Sequence, residues 1–223
     1  MSEGGSLLSQ HELIYTDLSF SDPMRVLGEG SFGTVYHAVY RGNETVAVKT
    51  MRVGKISSVE LEKFKSEIII MAPLQHPYLV RLYGGVWNEG ADKLCIVLEY
   101  CSNGSLGSLL KKRGSETWAS AYFEILLNTA VCFRYLHFES SGETLIHRDL
   151  KPDNVLIAED MSARVADFGE SRRFNHKEAS MRGDDKDSSG VMTMTMVGTL
   201  LYCAPEASIP RAVLRRRPPT PHA

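Results

Sequence analysis

The sequence predicts an α+β chain in two parts, a strand-rich antiparallel part to about residue 100 and a helix-rich part after it. Two observations predict it. Runs of β-branched and aromatic residues at Arg25-Val26-Leu27, Thr34 to Tyr40 and Glu44 to Lys49 are punctuated by glycines and by Arg41-Gly42-Asn43, the pattern of an antiparallel meander. Between Thr117 and His137 the apolar residues Trp118, Tyr122, Ile125, Leu126, Val131, Phe133 and Leu136 recur at helical spacing.

The elements follow in order. Residues 1–21 are weakly patterned and are expected to form an N-terminal extension. After the three strands, Ser57-Ser58-Val59-Glu60 has capping-box spacing and opens a helix to about Met71, which Pro73 and Pro77 stop. Leu79 to Trp87 and Leu94 to Glu99 read as two more strands, completing five. The second part, from residue 102, holds the long helix and the short apolar runs Leu145-Ile146, Val155-Leu156-Ile157 and Ala163-Arg164-Val165. Residues 170–196 are polar without a core pattern, and the Asp-, Gly- and Ser-rich stretch 182–190 reads as a mobile loop. The Arg- and Pro-rich residues 207–223 are expected to be disordered.

Composition sets limits on function. The chain has 223 residues, with 25 Lys+Arg against 27 Asp+Glu and a formal net charge of −2, which excludes a globally basic nucleic-acid binder. Its 43% hydrophobic and 23% charged residues are those of a folded globular chain. No stretch approaches the ~18 uninterrupted apolar residues of a membrane-spanning helix, and Met1-Ser2-Glu3-Gly4-Gly5 lacks the basic start and apolar core of a secretory signal. Cys95, Cys101, Cys132 and Cys203 make no C-x-x-C pair. Reduced thiols and a cytoplasmic location are the expectation.

Chemistry concentrates in a few segments. Gly28-Glu29-Gly30-Ser31-Phe32-Gly33-Thr34-Val35 is a G-x-G-x-x-G-x-V between two strands, so it reads as a hairpin flap whose backbone N–H groups can approach phosphates. Val46-Ala47-Val48-Lys49 places an ammonium on the third strand, and Glu67, on the next helix, can fix it. His147-Arg148-Asp149-Leu150-Lys151-Pro152-Asp153-Asn154 is an H-R-D-L-x-x-x-N. There Asp149 can accept a hydroxyl proton and Asn154 can offer a carbonyl oxygen to a metal. Asp167-Phe168-Gly169 adds a hard anionic oxygen suited to Mg²⁺, and Ala204-Pro205-Glu206 closes the series.

In this order, over about residues 22 to 206, the set resembles a eukaryotic protein kinase, and most closely the tyrosine-kinase-like group, which is largely Ser/Thr-specific. The resemblance implies a bilobal fold with a five-stranded antiparallel N-lobe at 22–101 and a mainly helical C-lobe from 102. It implies ATP and Mg²⁺ as cofactors and a protein Ser/Thr hydroxyl as acceptor. Gly28, Gly30 and Gly33 would cover the nucleotide, Lys49 would hold its α- and β-phosphates with Glu67 positioning it, and Asn154 and Asp167 would hold the metal. Asp149 would be the catalytic base. Lys151 matches the lysine that Ser/Thr kinases place near the γ-phosphate, and Gly198 to Tyr202 also resembles Ser/Thr members. Val35 and Ala47 would cover one face of adenine and Leu156 the other, with Leu27 in the same site. Leu98 would be the gatekeeper, with the hinge at Glu99 to Cys101. Met71, Leu82, His147 and Phe168 match the stack that marks an active kinase, which makes His147 structural.

The 40 residues from Asp167 to Glu206 contain Ser188, Ser189, Thr193, Thr195 and Thr199. A phosphate placed there by an upstream kinase could pair with Arg148, whereas Thr199 reads as a substrate-positioning residue. Family members continue beyond the Ala-Pro-Glu for longer than the 17 residues that follow Glu206 here. The second lobe is therefore expected to be incomplete, with the 117–138 helix showing an apolar face to water. Arg215-x-x-Pro218-x-x-Pro221 fits a loose SH3-ligand pattern, and a solvated tail is the expectation. Two functional readings stand: a protein Ser/Thr kinase, or a truncated fragment that binds ATP or a partner without catalysis, as a decoy, a scaffold or the product of a wrongly assigned reading frame.

Overall fold

The computed structural model describes residues 3–30, 33–51, 57–112, 121–140, 143–174 and 199–203. The Ser31-Phe32 tip of the flap, the start of the predicted long helix at 117–120, Ser188, Ser189, Thr193, Thr195, the Ala-Pro-Glu and the tail lie outside them.

The N-lobe is an antiparallel sheet of β1 (Leu18–Phe20), β2 (Val26–Glu29), β3 (Thr34–Tyr40), β4 (Glu44–Thr50), β5 (Leu82–Val86) and β6 (Cys95–Glu99). Six strands fill five lateral positions, because β1 and β2 follow one another along the same edge of β3. Residues 18–20, expected to fall in an extension outside the lobe, thus belong to its sheet. Leu18 pairs with Tyr40 and Phe20 with Ala38, and Leu18 is buried among Ala38, Val46, Val48, Val86, Cys95 and Val97. That cluster fills one face of the sheet. Strand alternation sends Ala47, Lys49, Ile96 and Leu98 to the other face, where Ala47 lies opposite Leu98 and Lys49 opposite Ile96.

Against this second face lies α2 (Ser58–Met71). Its start is the predicted capping box: the Glu60 N–H donates to Ser57 Oγ at 3.2 Å, and the Ser57 N–H donates to the Glu60 carboxylate at 2.8 Å. Phe64, Glu67, Ile68 and Met71 are its buried residues, spaced as one helical stripe. The stripe that packs the helix therefore also carries Glu67 inward.

The predicted strand over 79–87 divides between two partners. Only 82–86 joins the N-lobe sheet. Leu79 instead bridges Val165 of β9 (Ala163–Val165), and Val80 N donates to the Val165 carbonyl at 2.9 Å. The segment after α2 is thereby fastened to the C-lobe.

The C-lobe holds α3 (Leu106–Lys112), which the sequence did not reveal, and α4 (Ala121–Phe138). β7 (Thr144–Ile146) pairs with β10 (Arg172–Phe174), and β8 (Val155–Ile157) pairs with β9. β10 lies in the stretch read as patternless; its Arg172-Arg173-Phe174 carries no apolar alternation to announce it. Among the described residues no helix is long and apolar enough to cross a membrane.

α4 has two characters. Tyr122, Ile125, Cys132 and Leu136 are buried, whereas Phe123, Leu126, Leu127, Val131 and Phe138 are exposed. The apolar face expected on this helix is present, and Leu126 and Val131 belong to it rather than to the core. Two leucines on one helix should therefore behave differently. Leu136→Ala removes a side chain with 0% exposure and should cost about 2–5 kcal/mol. Leu127→Gln, at 45% exposure, should change stability by no more than about 0.5 kcal/mol. Urea unfolding of both variants measures the difference.

Candidate active site

Three segments from distant parts of the sequence meet between the lobes. On β4 the Lys49 ammonium donates to Glu67 Oε1 at 2.8 Å and to Asp167 Oδ1 at 2.9 Å. The Lys49 side chain is 15% exposed and that of Glu67 9%. Burial works against the lysine's charge, but Glu67 and Asp167 outweigh it and raise its pKa. Burial pushes the Glu67 carboxyl up, so its ionised form depends on contact with Lys49.

Asp167 sits at φ +66°, an uncommon conformation for a non-glycine residue. The turn is held from both sides. Ala166 N donates to the Asn154 carbonyl at 2.9 Å, and the Phe168 ring meets His147 at 5.0 Å. His147 is buried, and its Nε2 donates to the Ala166 carbonyl at 2.9 Å while Nδ1 accepts the Asp149 N–H at 3.3 Å. Those partners fix the tautomer and give the imidazole a structural task; burial lowers its pKa and keeps it neutral. Met71 and Phe168 lie in one buried cluster with Leu82 packed against it, so the stack expected from the sequence is assembled.

Asp149 is saturated with donors. Its Oδ1 accepts the Thr199 N–H and hydroxyl, both at 2.8 Å, and its Oδ2 accepts Lys151 Nζ at 2.7 Å and Asn154 Nδ2 at 3.0 Å. Lys151 also donates to Thr199 Oγ1 at 2.9 Å. Burial works against the Asp149 charge, but the hydrogen bonds from Lys151 and Thr199 outweigh it and hold the carboxyl below the usual range. Asn154 spends its Nδ2 on Asp149, which leaves its Oδ1 as an acceptor. With the Asp167 carboxylate it makes a hard, all-oxygen donor pair. Such a set fits Mg²⁺, which takes one or two protein oxygens and completes its shell with phosphates and water.

The flap glycines differ in what they face. Gly33, at φ +157°, would place a Cβ 1.7 Å from the Thr50 carbonyl oxygen, so only glycine fits. A Cβ added at Gly28 or Gly30 would meet nothing within 4 Å, so the face of the hairpin on which it would stand is open; Gly30 N donates to the Gly33 carbonyl at 2.9 Å and closes the turn. Leu27 is exposed on β2. Val35 lies opposite Lys49 in the β3–β4 ladder, and Ala47 opposite Leu98. Leu98 and Leu156 both pack against the Met71–Phe168 cluster from opposite lobes.

The sequence reading missed what Glu99 does with its side chain. Expected to act through hinge backbone groups, it accepts Arg164 Nε of β9 at 3.1 Å and the Arg81 N–H at 3.1 Å, joining the lobes across the hinge. Cys101, next along, is buried, and burial pushes its thiol up to about 12. Arg148 donates its Nε to the Glu170 carbonyl, directly after the Asp167-Phe168-Gly169 turn.

The profile of the protein kinase domain family matches residues 22–213, and the chain belongs to that family. A G-type lectin S-receptor-like serine/threonine-protein kinase of Arabidopsis thaliana is 37% identical to it over 204 residues, covering 91% of this chain and 22% of that protein. Cysteine-rich receptor-like protein kinase 28 of the same plant is 35% identical over 207 residues, 92% of this chain and 28% of its own length. A putative leucine-rich repeat receptor-like serine/threonine-protein kinase is 37% identical over 184 residues, 82% of this chain and 19% of its own length. The chain thus spans less than a third of each of these relatives.

The lowered Asp149 pKa has a definite sign. The stability it contributes is present above the unfolded value of about 3.9 and is lost as pH falls through the lower folded value. An NMR titration of the Asp149 carboxyl should give a midpoint below about 3.9. Thr199→Ala should raise that midpoint and Thr199→Ser should restore it. A midpoint unmoved by Thr199→Ala would contradict the assignment of cause.

Proposed function

We propose that this chain transfers the γ-phosphoryl group of ATP to a Ser or Thr hydroxyl of a protein. The observation that carries the reading is the joint placement of Lys49 between Glu67 and Asp167 and of Asp149 between Lys151 and Thr199. One cluster suits phosphates and a metal; the other suits an acceptor hydroxyl. Such transfer proceeds through a loose transition state, so positioning and charge neutralisation supply most of the rate.

In this reading Lys49 orients the α- and β-phosphates and Glu67 holds Lys49 still. Asn154 and Asp167 hold Mg²⁺, which supplies charge neutralisation on the phosphate oxygens. Asp149, too weak a base to deprotonate the acceptor early, orients the hydroxyl and takes its proton late. Lys151 offsets charge on the transferring group. Thr199 fixes Lys151 and Asp149 relative to each other, which fits a Ser/Thr acceptor, and the names of the plant relatives point the same way. Gly28, Gly30, Gly33, Leu27, Val35, Ala47, Leu98, Glu99, Cys101 and Leu156 enclose the nucleotide. The Arg148 side chain remains the candidate partner for a phosphate on the segment before Thr199. A cytoplasmic site of action is part of the proposal, supported by the free thiols of Cys95, Cys101 and Cys132, which fit a reducing compartment.

The second reading is a chain that binds ATP or a partner without catalysis, and the exposed apolar face of α4 offers a surface for such a partner. One assay separates the two. The 223-residue chain, Mg-ATP labelled in the γ-phosphate and a generic Ser/Thr protein substrate should give labelled Ser or Thr, and Asp149→Asn should reduce the rate by about 10²–10⁴-fold. Equal label in both proteins would reject the kinase reading. Nucleotide binding without label would establish the second.

A further inference from the structure

β5 stands at one edge of the N-lobe sheet, yet a second backbone covers its rim. Residues 11–13 run beside it: Leu13 N donates to the Gly85 carbonyl at 2.8 Å, Gly85 N donates to the His11 carbonyl at 2.9 Å, and Glu12 bridges Gly85 in parallel. The approach demands glycine. Gly84 has φ +151°, and a Cβ there would lie 2.3 Å from the His11 carbonyl oxygen and 2.9 Å from Leu13 Cγ.

This strap is pinned at both ends. On one side Tyr15 N donates to Glu89 Oε1 at 2.8 Å, and the Asn88 amide donates to the Glu12 carboxylate. On the other, α1 (Glu3–Gln10) lies against α2. Its Leu8 packs on the buried cluster of Phe64, Ile68, Leu94 and Ile96, while His11 Nδ1 donates to the Leu7 carbonyl at 3.0 Å. Phe64 and Ile68 flank Glu67 on the inward stripe of α2. Leu8 therefore presses on the part of α2 that sets the reach of Glu67 toward Lys49.

We propose that residues Leu8–Leu13 form a built-in clamp for α2, with Leu8 a positioning residue for phosphoryl transfer. Seated, Leu8 holds α2 inward and keeps Glu67 on Lys49. With the strap lifted from β5, α2 loses its outer support and the ion pair opens. The clamp itself rests on geometry; its consequence for rate rests on the kinase reading above.

Hydrogen exchange separates the two. In the full chain, Leu8→Asp and Gly84→Ala should each speed amide exchange across α2 by about tenfold, a usual scale for coupling between two sites. Gly84→Ala strikes the strap first, since the atoms nearest a Cβ there belong to His11 and Leu13, and it also strains β5 at φ +151°, so Leu8→Asp is the deciding variant. Leu8→Met should keep exchange at the unmodified rate, and β8 and β9 should be unchanged in all three variants. If the chain transfers phosphate, kcat should fall by about the same factor in the first two variants and be retained in Leu8→Met. Absence of transfer in the unmodified chain would count against the kinase reading and leave the exchange result to decide the clamp. Unchanged α2 exchange in Leu8→Asp would overturn the clamp, as would an equal rise in α2 and in β8 and β9.

Discussion

The Lys49 ammonium is held between two carboxylates with little water around it, and each carboxylate comes from a different part of the chain: Glu67 from α2, Asp167 from the turn after β9. At an effective dielectric near 20 each contact is worth about 4–6 kcal/mol of attraction. Withdrawing the charges from water costs several kcal/mol per ion. The two nearly offset, so the cluster contributes little net stability and a great deal of geometry. Removing one partner is another matter, because it leaves a buried charge uncompensated at a cost of about 3–5 kcal/mol. The arrangement is complete or it fails.

The rest of the fold can be read as what brings those three groups together. β4 supplies Lys49 on the sheet face opposite the Leu18–Val97 cluster. The stripe of Phe64, Ile68 and Met71 turns Glu67 inward, and Gly85 lets α2 approach, since a Cβ there would meet Ile68 Cδ1 at 2.8 Å. Asp167 is placed by β9, which is itself tied to the N-lobe twice: through the Leu79–Val165 bridge and through the Glu99–Arg164 ion pair. The loop from His147 to Asn154 joins the same system through the Ala166–Asn154 hydrogen bond and through the contact of His147 with Phe168. A shift in any of these supports is felt at Lys49.

Much of this was legible in the sequence, for identifiable reasons. The capping box at Ser57 and Glu60 and the polar octapeptide from His147 to Asn154 are local patterns whose chemistry survives without knowledge of the fold. Lys49 and Glu67 could be paired in advance because they stand in an order of motifs that resembles a known family, whereas the contact of Lys49 with Asp167, read as a metal ligand, came only from the structure. What stayed hidden was made by backbone. β1, β10 and the strap at residues 11–13 pair through N–H and C=O groups that every residue carries, so no side-chain alternation marks them. Gly84 and Gly85 read as punctuation within a strand; their meaning, close approach from two sides, exists only in three dimensions. Glu99 was read through its backbone because its side-chain partner Arg164 lies 65 positions away.

The most direct test of the central claim is the titration of the Lys49 ammonium itself, followed by NMR of the lysine side chain in the 223-residue chain. Its folded pKa is raised, so its stabilising contribution is full below the free-lysine value of about 10.4 and is lost only as pH rises through the higher folded value. The account predicts a midpoint above about 10.4 that falls when Glu67 is replaced by Gln. A midpoint at or below the free-lysine value, or one indifferent to Glu67→Gln, would show that Lys49 is not held between the two carboxylates and would contradict the account.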